Sequence, residues 1–404
     1  MSLKLLLLAP LALTTLTLPA LAEDPGQTIA TQTVATTVTS EEPLAQIAIL
    51  LDTSGSMEGL VDQARCQLWN VVSELATASR GETPTKLEIA VYQYGSNKIP
   101  ADQGFLRQVV GFTDNLDEVS RALFSLAVGG NKEFCGHVID SALSDLEWDP
   151  SPSAYRAIFI AGNESFDQGR VTFGEAYPKA LSHEVLLNSI YCAMKNDNKE
   201  STVQWDAAAR LTGGMSFEID HNHHLPEMMT PFDSRMRELN ERMNATFVWF
   251  GEESENAAAN QDEQDKNAAK MSDHAFAARM SAKIGHLYHH AHHDLIDAID
   301  HGNVDLAKME EAKMPESLQV MSADERVKFV EEKVAERDRV RREMADVISK
   351  RHAFLQQKMV EQAGAEGKEV TVLGDALVDA VRRQATKRGF EFDQGQTAQV
   401  SNDR

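Results

Sequence analysis

The sequence predicts an α/β fold: a doubly wound, Rossmann-like domain with a mostly parallel six-stranded sheet, followed by an extended α-helical C-terminal region. Two observations support this prediction. Buried-strand patterns alternate with helical patterns between residues 45 and 225, and the remainder of the chain is rich in helical patterns but poor in strand patterns. With 404 residues, 42% of them hydrophobic, the chain is long and apolar enough for more than one core.

The chain is strongly acidic. It has 39 Lys and Arg against 62 Asp and Glu, so its formal net charge is −23. Binding to nucleic acid or to an anionic lipid surface depends on Lys and Arg that displace counterions. We therefore expect no nucleic-acid partner, whereas cations and basic protein surfaces remain candidate ligands.

The first residues have the pattern of a secretory signal peptide. A basic tip at Lys4 precedes an apolar run that ends at Ala20-Leu21-Ala22. Cleavage after residues 1–22 would release an exported protein, periplasmic or secreted, that does not span the membrane. An uncleaved membrane anchor is the alternative. Residues 23–44 are rich in Thr, Glu and Ala, and we predict that they form a flexible leader.

The first folded domain is predicted at residues 45–225. Its first strand, Ile47–Leu51, is a continuous apolar run followed by a helical pattern. Further strands are predicted at Leu87–Tyr94, Leu106–Phe112, Ala157–Ala161, Ser189–Met194 and Met215–Ile219. Helices are predicted between most of them, at Asn115–Leu126, Gly136–Leu146, Tyr177–Leu187 and Asp206–Leu211. The link between the second and third strands is short, which predicts an antiparallel pair at one edge of the sheet.

The predicted helical C-terminal region covers residues 226–404. An apolar run at 245–250 predicts one extra strand. Ser322-Ala-Asp-Glu325 has the spacing of a capping box and precedes a long helical pattern near residues 323–362. Such a helix would be about 60 Å long. We expect it to pack against a second helix as a coiled-coil hairpin, or to bend back over the sheet.

Asp52, Ser54 and Ser56 form an Asp-x-Ser-x-Ser motif directly after the first strand. In open α/β sheets, ligands bind outside the carboxyl ends of the strands. One carboxylate and two hydroxyls offer only oxygen ligands, which suit Mg²⁺, Ca²⁺ or Mn²⁺ better than Zn²⁺. The motif therefore predicts a divalent-cation site.

At these residues the sequence resembles the von Willebrand factor A (VWA) family, over about residues 45–222. The resemblance implies a metal-ion-dependent adhesion site, in which an acidic or other oxygen ligand from a protein partner completes the coordination of a divalent cation. The implied role is protein–protein interaction. No enzyme signature, such as Gly-x-Ser-x-Gly or His-Glu-x-x-His, occurs in the sequence, so we predict no catalytic residues.

Family members complete the site with a Thr before the third helix and an Asp after the fourth strand, and this sequence departs from both. In place of the Thr, Asn131 or Glu133 is the expected ligand. Gly162 stands at the Asp position, so Asn163 or Glu164 is expected to substitute. Added glutamates would favour direct capture of a cation over completion by a partner's carboxylate. The alternative is a metal-free scaffold or envelope-stress protein that binds partners through its helical half.

A second resemblance is to a group of exported bacterial A-domain proteins with a helical C-terminal half. It rests on Glu133-Phe-Cys-Gly136, Phe159-Ile-Ala-Gly-Asn-Glu164 and the segment from Gln384 to Phe390. This resemblance implies an architecture and no particular activity.

Cysteines and histidines give two further predictions. Export would permit a disulfide, and Cys135 and Cys192 are the candidate pair because both are predicted near one edge of the sheet. Three buried thiols, with Cys66, are the alternative. Histidines occur at 221–224 and 286–293. On a helix, four of them would share one face and form a second candidate site, for Zn²⁺, Cu²⁺ or Ni²⁺, unless the face is simply polar: His286, His289, His290 and His293.

Overall fold

The computed structural model describes residues 42–193, 199–220, 228–363 and 373–392. The predicted signal peptide, most of the predicted leader and the first histidine cluster lie outside the described residues. No described helix is both long enough and apolar enough to cross a membrane.

Strands and helices alternate in the first half of the chain. These elements are β1 (Leu44–Asp52), α1 (Glu58–Leu75), β2 (Ala78–Arg80), β3 (Thr83–Pro84), β4 (Lys86–Tyr94), β5 (Leu106–Thr113), α2 (Leu116–Phe124), α3 (Cys135–Asp145), β6 (Tyr155–Gly162), α4 (Phe173–Ser182), β7 (Leu186–Cys192), α5 (Lys199–Thr212) and β8 (Ser216–Ile219). The second half is mainly helical. Its elements are α6 (Asp233–Asn244), α7 (Ser254–Met271), α8 (Asp273–Lys283), α9 (Leu295–Asp300), α10 (Glu316–Gln319), α11 (Ala323–Ala363), α12 (Leu373–Lys387) and β9 (Glu391–Phe392).

Six strands form one sheet in the order β5-β4-β1-β6-β7-β8. All neighbours are parallel except β4 and β5, which form an antiparallel pair at one edge. This confirms the predicted fold class and the predicted edge pair. The chain proceeds from β1 to one side of the sheet and later to the other, so the carboxyl end of β1 lies at a topological switch point, where open α/β sheets bind ligands.

Helices cover both faces of this sheet. Side chains of β1 alternate between the faces: Ile47 joins the core beneath α1, α2 and α12, whereas Leu50 joins the core beneath α3, α4 and α5. Trp69 and Trp205 are the largest side chains of the two cores, and both are fully buried. The strands are therefore apolar on both faces, which explains the continuous apolar runs in the sequence.

The predicted disulfide is absent from the described part of the chain. Cys135, at the start of α3, belongs to the core with Leu50, whereas Cys192, at the end of β7, belongs to the core on the opposite face. The Cys135–Cys192 prediction is wrong because both residues lie near the same end of the sheet but on different faces of it.

The last helix returns to the sheet. Ala380 and Val381 of α12 pack in the core beneath α1, and β9 pairs with β2 through Phe392 and Ala78. We call β1–β8, α1–α5, α12 and β9 together the sheet domain, and residues 228–363 the helical excursion. The final elements of the predicted helical C-terminal region thus pack against the first half of the chain, and the predicted division at residue 225 stays a prediction.

The helical excursion has its own core, built from Met236 of α6, Met280 of α8 and Met344 of α11. The 41-residue helix α11 packs along α6, where Arg242 lies 2.8 Å from Glu336 and 2.9 Å from Glu343. It also contacts α8 and α9. One long helix is thus held by several shorter ones.

The extra strand predicted at 245–250 is not present. Residues 245–247 continue a turn, and Trp249 makes an isolated antiparallel bridge with Asp294. The backbone N–H of Val248 donates to Asp294 Oδ1 at 2.6 Å, so a carboxylate takes the place of a neighbouring strand. Val248 itself is buried against Leu295, which explains the apolar run.

Candidate functional site

Asp52 lies at the carboxyl end of the central strand β1 and is fully buried. Its Oδ1 accepts a hydrogen bond of 2.7 Å from the backbone N–H of Ser54. Its Oδ2 is buried and has no hydrogen-bond partner among the described residues. A buried carboxylate oxygen without a donor costs free energy, which a proton or a bound cation would offset.

Burial raises the pKa of Asp52 to about 7; the Ser54 amide opposes this increase, while the negative charges of Glu133 and Glu164 add to it. Burial also raises the pKa of Glu133, and Glu164 again contributes. The three carboxyl groups therefore repel one another electrostatically. A divalent cation would relieve this repulsion, whereas without a cation the raised pKa of Asp52 lets its carboxyl group keep a proton up to about pH 7.

Backbone hydrogen bonds bring Glu133 to the motif loop. The N–H of Gly55 donates to the carbonyl of Gly130 at 3.1 Å, and the N–H of Gly129 donates to the carbonyl of Thr53 at 2.8 Å. These bonds hold the loop before α3 against the Asp-x-Ser-x-Ser loop. Glu133 is consequently buried near Ser54, whose side chain opposes the increase that burial causes in the pKa of Glu133.

Not every predicted ligand reaches the interior of the site. Asp52, Ser54 and Glu133 are buried together, but Ser56 and Asn131 are exposed. Two further predicted ligands, Asn163 and Glu164, lie in the loop after β6. Asn163 is buried with Oδ1 unpartnered among the described residues.

Glu164 is partly buried and is held in place from two sides. Its carboxylate accepts a hydrogen bond of 3.2 Å from Gln168, and its backbone carbonyl accepts one of 2.8 Å from Trp205 Nε1. These contacts fix the carboxylate close enough to raise the pKa values of both Asp52 and Glu133. Glu164 thus belongs electrostatically to the site.

Two glycines pack closely against Asp52 and leave no space for a side chain. A Cβ at Gly95 would lie 2.5 Å from Asp52 Oδ1, and a Cβ at Gly162 would lie 3.2 Å from Oδ2 and 2.5 Å from the Tyr94 hydroxyl. The Tyr94 hydroxyl donates to the carbonyl of Ala161 at 2.9 Å, which keeps it in place. Close packing against Asp52 and Tyr94 therefore explains why residue 162 is a glycine. Tyr94 and Gly95 lie at the end of β4, beside β1, and no motif in the sequence marks them as residues of the site.

The described residues contain no group of three His, Cys, Asp or Glu side chains arranged to hold a metal ion. Any cation at Asp52 therefore depends on hydroxyl and amide oxygens as well as carboxylates. Ser54 and Glu133 supply such oxygens beside Asp52, and Asn163 has a buried, unpartnered amide oxygen in the loop after Gly162. This all-oxygen set, with two unpartnered buried oxygens, fits Mg²⁺ or Ca²⁺.

The second predicted metal site is wrong. His286, His289, His290 and His293 lie in an irregular segment between α8 and α9 and not on a helix. His286 Nε2 lies 3.0 Å from the Thr85 carbonyl, whereas His290 Nε2 lies 3.3 Å from the Tyr288 hydroxyl. The Asp297 carboxylate accepts a hydrogen bond from the backbone N–H of His290, and the Asp294 carboxylate accepts one from the N–H of Asp297 in α9 and one from that of Val248. These bonds hold the segment in an irregular conformation, although the spacing of its histidines fits a helix.

No protein-family model matches the chain, and neither does any curated protein. Solved structures with some similarity include proximal thread matrix protein 1 from the mussel byssus, at 11% identity over 44% of this chain and 42% of that chain, with a TM-score of 0.31. The pilus adhesin SpaC from Lactobacillus rhamnosus GG has 12% identity over 45% of this chain and 28% of its own, with a TM-score of 0.34.

An aerotolerance-related membrane protein from Bacteroides fragilis has 16% identity over 44% of this chain and 92% of its own, with a TM-score of 0.28. This chain spans less than half the length of the mussel protein and of the adhesin. TM-scores and identities this low carry no conclusion about fold or function.

Proposed function

We propose that this protein is an exported, non-enzymatic binding protein whose sheet domain is a variant VWA domain. A divalent cation, Mg²⁺ or Ca²⁺, binds at Asp52 and recruits a protein partner that presents an acidic or other oxygen ligand. The observation that carries this proposal is the buried Asp52 carboxylate, whose Oδ2 has no hydrogen-bond partner among the described residues, at the switch point of the sheet.

The arrangement of charges supports a cation in preference to an anionic or neutral small molecule. Glu133 and Glu164 both add negative potential at Asp52. Ser54 and Asn163 add neutral oxygens. A hard cation is the ligand whose charge and preferred donor atoms match this set.

The second candidate is a metal-free scaffold, in which a proton on a carboxyl group takes the place of the cation. The raised pKa values of Asp52 and Glu133 favour this reading, since protonated carboxyls tolerate burial without a metal. In that case partners would bind to the helical excursion.

A thermal melt with and without millimolar Mg²⁺ or Ca²⁺ separates the two candidates. Binding to the folded state raises the Tm by mass action. We expect a rise for the wild type, none for Asp52→Ala, and an unchanged rise for the control Asp102→Ala, which alters an exposed carboxylate in the same domain. Absence of a rise in the wild type, or a rise that survives Asp52→Ala, would contradict the cation site.

Partner binding and export need separate measurements. Capture of a protein from an envelope fraction should require the cation and be lost with chelator. N-terminal sequencing of the mature protein should begin after residue 22 if the signal peptide is cleaved. Turnover of ester or peptide substrates would contradict the non-enzymatic role.

A further inference from the structure

The histidine segment (residues 284–294) lies where the helical excursion meets the sheet domain. His286 reaches the Thr85 carbonyl before β4, and His290 reaches the Asp117 carboxylate of α2. Leu287 and Tyr288 of this segment are buried in the core of the sheet domain. The segment is therefore part of the joint between the two halves of the molecule.

His289 has an unusual environment at this joint. Its ring lies 4.4 Å from that of His301, measured between centroids, with an angle of 42° between the planes. Its Nε2 is 4.0 Å from Asp114 Oδ2, which is too far for a hydrogen bond. Its Nδ1 is buried and has no hydrogen-bond partner among the described residues. Neither nitrogen is thus satisfied by a close acceptor that would stabilise a protonated ring.

His301 is fixed beside it. As the C-cap residue of α9, it places Nδ1 2.9 Å from the Asp297 backbone carbonyl. Two imidazoles held at this distance repel each other when both carry a proton. This repulsion acts between the histidine segment and the end of α9, close to the place where the helical excursion contacts α2.

We propose that the His289–His301 pair makes this joint acid-sensitive, so that His289 and the start of α9 move away from the Asp114 loop when the pH falls below about 6.5, while Tyr288 and His290 stay bound to Asp117 of α2. The groups that face His289 are Asp114 from the loop before α2, Asp297 and His301 from α9, and His290 from its own segment. The two carboxylates offset part of the added charge, and the two histidines oppose it.

The direction of the effect follows from burial. Desolvation lowers the pKa of His289, and His301 lowers it further. The closed joint therefore binds fewer protons than an open joint with solvated imidazoles. Closure is favoured above about pH 6.5 and is lost as the pH falls towards the lowered pKa.

His290 should stay in place when the joint opens. Its ring is buried edge-on against Trp249 and Tyr288, and its Nε2 lies 3.3 Å from Asp117 Oδ2. His290 is thus held directly against a carboxylate of α2. We expect the opening to remain local, because Asp117 also stays paired with Arg279.

Hydrogen exchange measured by mass spectrometry on the full chain tests the proposal. At about pH 5.5 and about pH 7.5, after correction for intrinsic exchange, peptides from residues 284–301 and 114–124 should exchange several-fold faster at the lower pH. The acceleration should be lost in His289→Gln and reduced in His301→Gln. The control His352→Gln, on an exposed position of α11, should behave as the wild type.

Two outcomes would overturn the proposal. One is equal protection of these peptides at both pH values in the wild type. The other is a full acid response in both His289→Gln and His301→Gln. The readout is the change between two pH values within one variant, so a general loss of stability in either variant does not imitate the predicted result.

Discussion

Arg279 of α8 and Asp117 of α2 form a fully buried ion pair, with 2.7 Å between Nη1 and Oδ1, that fastens the helical excursion to the sheet domain. The same guanidinium bonds Asp265 of α7 through Nε, also at 2.7 Å, and lies 4.8 Å from the ring centre of Trp69 on α1. One side chain thus contacts three helices from both halves of the molecule. Its charge holds the pKa of Asp117 well below its usual range. The pKa of Asp265 is also lowered, mainly by the ammonium group of Lys283 and further by Arg279.

Replacing Arg279 should destabilise the whole protein. Arg279→Met leaves Asp117 buried with only the Tyr288 hydroxyl and His290 as polar partners from the histidine segment. A buried charge that loses its counterion costs about 3–5 kcal/mol of the free energy of unfolding. Chemical denaturation at neutral pH measures this loss. Arg339→Met, which removes an exposed pair with Glu336, should change stability by less than about 1 kcal/mol. Equal effects of the two substitutions would contradict the role assigned to Arg279.

Acid should weaken the same connection. Asp117 and Asp265 have lowered pKa values in the folded state, so they contribute stability above about pH 4, and this contribution is lost as the pH falls further. Asp117→Asn should show a shallower loss of stability between about pH 4 and pH 2 than the wild type does. Denaturation midpoints across this range test it, with Asp102→Asn as a solvent-exposed control. Parallel curves for the wild type and Asp117→Asn would count against the prediction.

Asp52 should show the opposite pH dependence. Its pKa is raised to about 7, so the cation-free protein loses stability as the pH rises from about 4 through 7. Asp52→Asn, which cannot ionise, should be more stable than the wild type in chelator at about pH 8, on the order of 2 kcal/mol. The difference should shrink as the pH falls and vanish only near about pH 3, where the carboxyl is protonated in the unfolded chain as well as in the folded protein. A variant that is less stable than the wild type at both pH values would contradict this prediction.

Gly162 should tolerate no side chain. In Gly162→Ala the new Cβ would lie 2.5 Å from the Tyr94 hydroxyl and close to Asp52 Oδ2, so we expect a loss of about 1–3 kcal/mol and weaker cation binding. Gly174→Ala is a matched control, since Gly174 lies in α4 with its nearest neighbour at 3.7 Å. It should be neutral or slightly stabilising. Thermal melts with and without cation compare the two variants.

The cysteines allow a chemical test of whether Cys135 and Cys192 lie on opposite faces of the sheet. Because Cys135 and Cys192 lie in different cores, we expect no disulfide between them, even after isolation without reductant. Alkylation in denaturant, without prior reduction, should label all three cysteines. In the native protein Cys135 should react slowly, because it is buried and burial raises the pKa of its thiol. Recovery of a Cys135–Cys192 peptide pair by mass spectrometry would contradict the structure.

Local patterns predicted the sheet and the position of Asp52, since apolar runs and the order of elements depend on neighbouring residues. The contacts that decide the remainder are distant in sequence. Asp294 replaces a strand partner at Val248 and redirects the histidine segment, and the loops at Gly129 and Gly55 decide that Glu133 is buried. Periodicity carries no information on such contacts. For the same reason, the assignment of Cys135 and Cys192 to different faces did not follow from spacing.

The return of α12 to the sheet has a consequence for the order in which the chain acquires its structure. Leu377, Ala380 and Val381 of this helix cover part of the core formed by α1 and β1, yet they are synthesised after every strand of the main sheet. Until α12 has been synthesised, apolar side chains such as Ile47 and Leu68 lack that cover. The helical excursion, which is synthesised earlier, must leave this surface free for α12. A chain that stops after α11 should therefore remain open to chaperones and proteases, even with every strand of the main sheet already made.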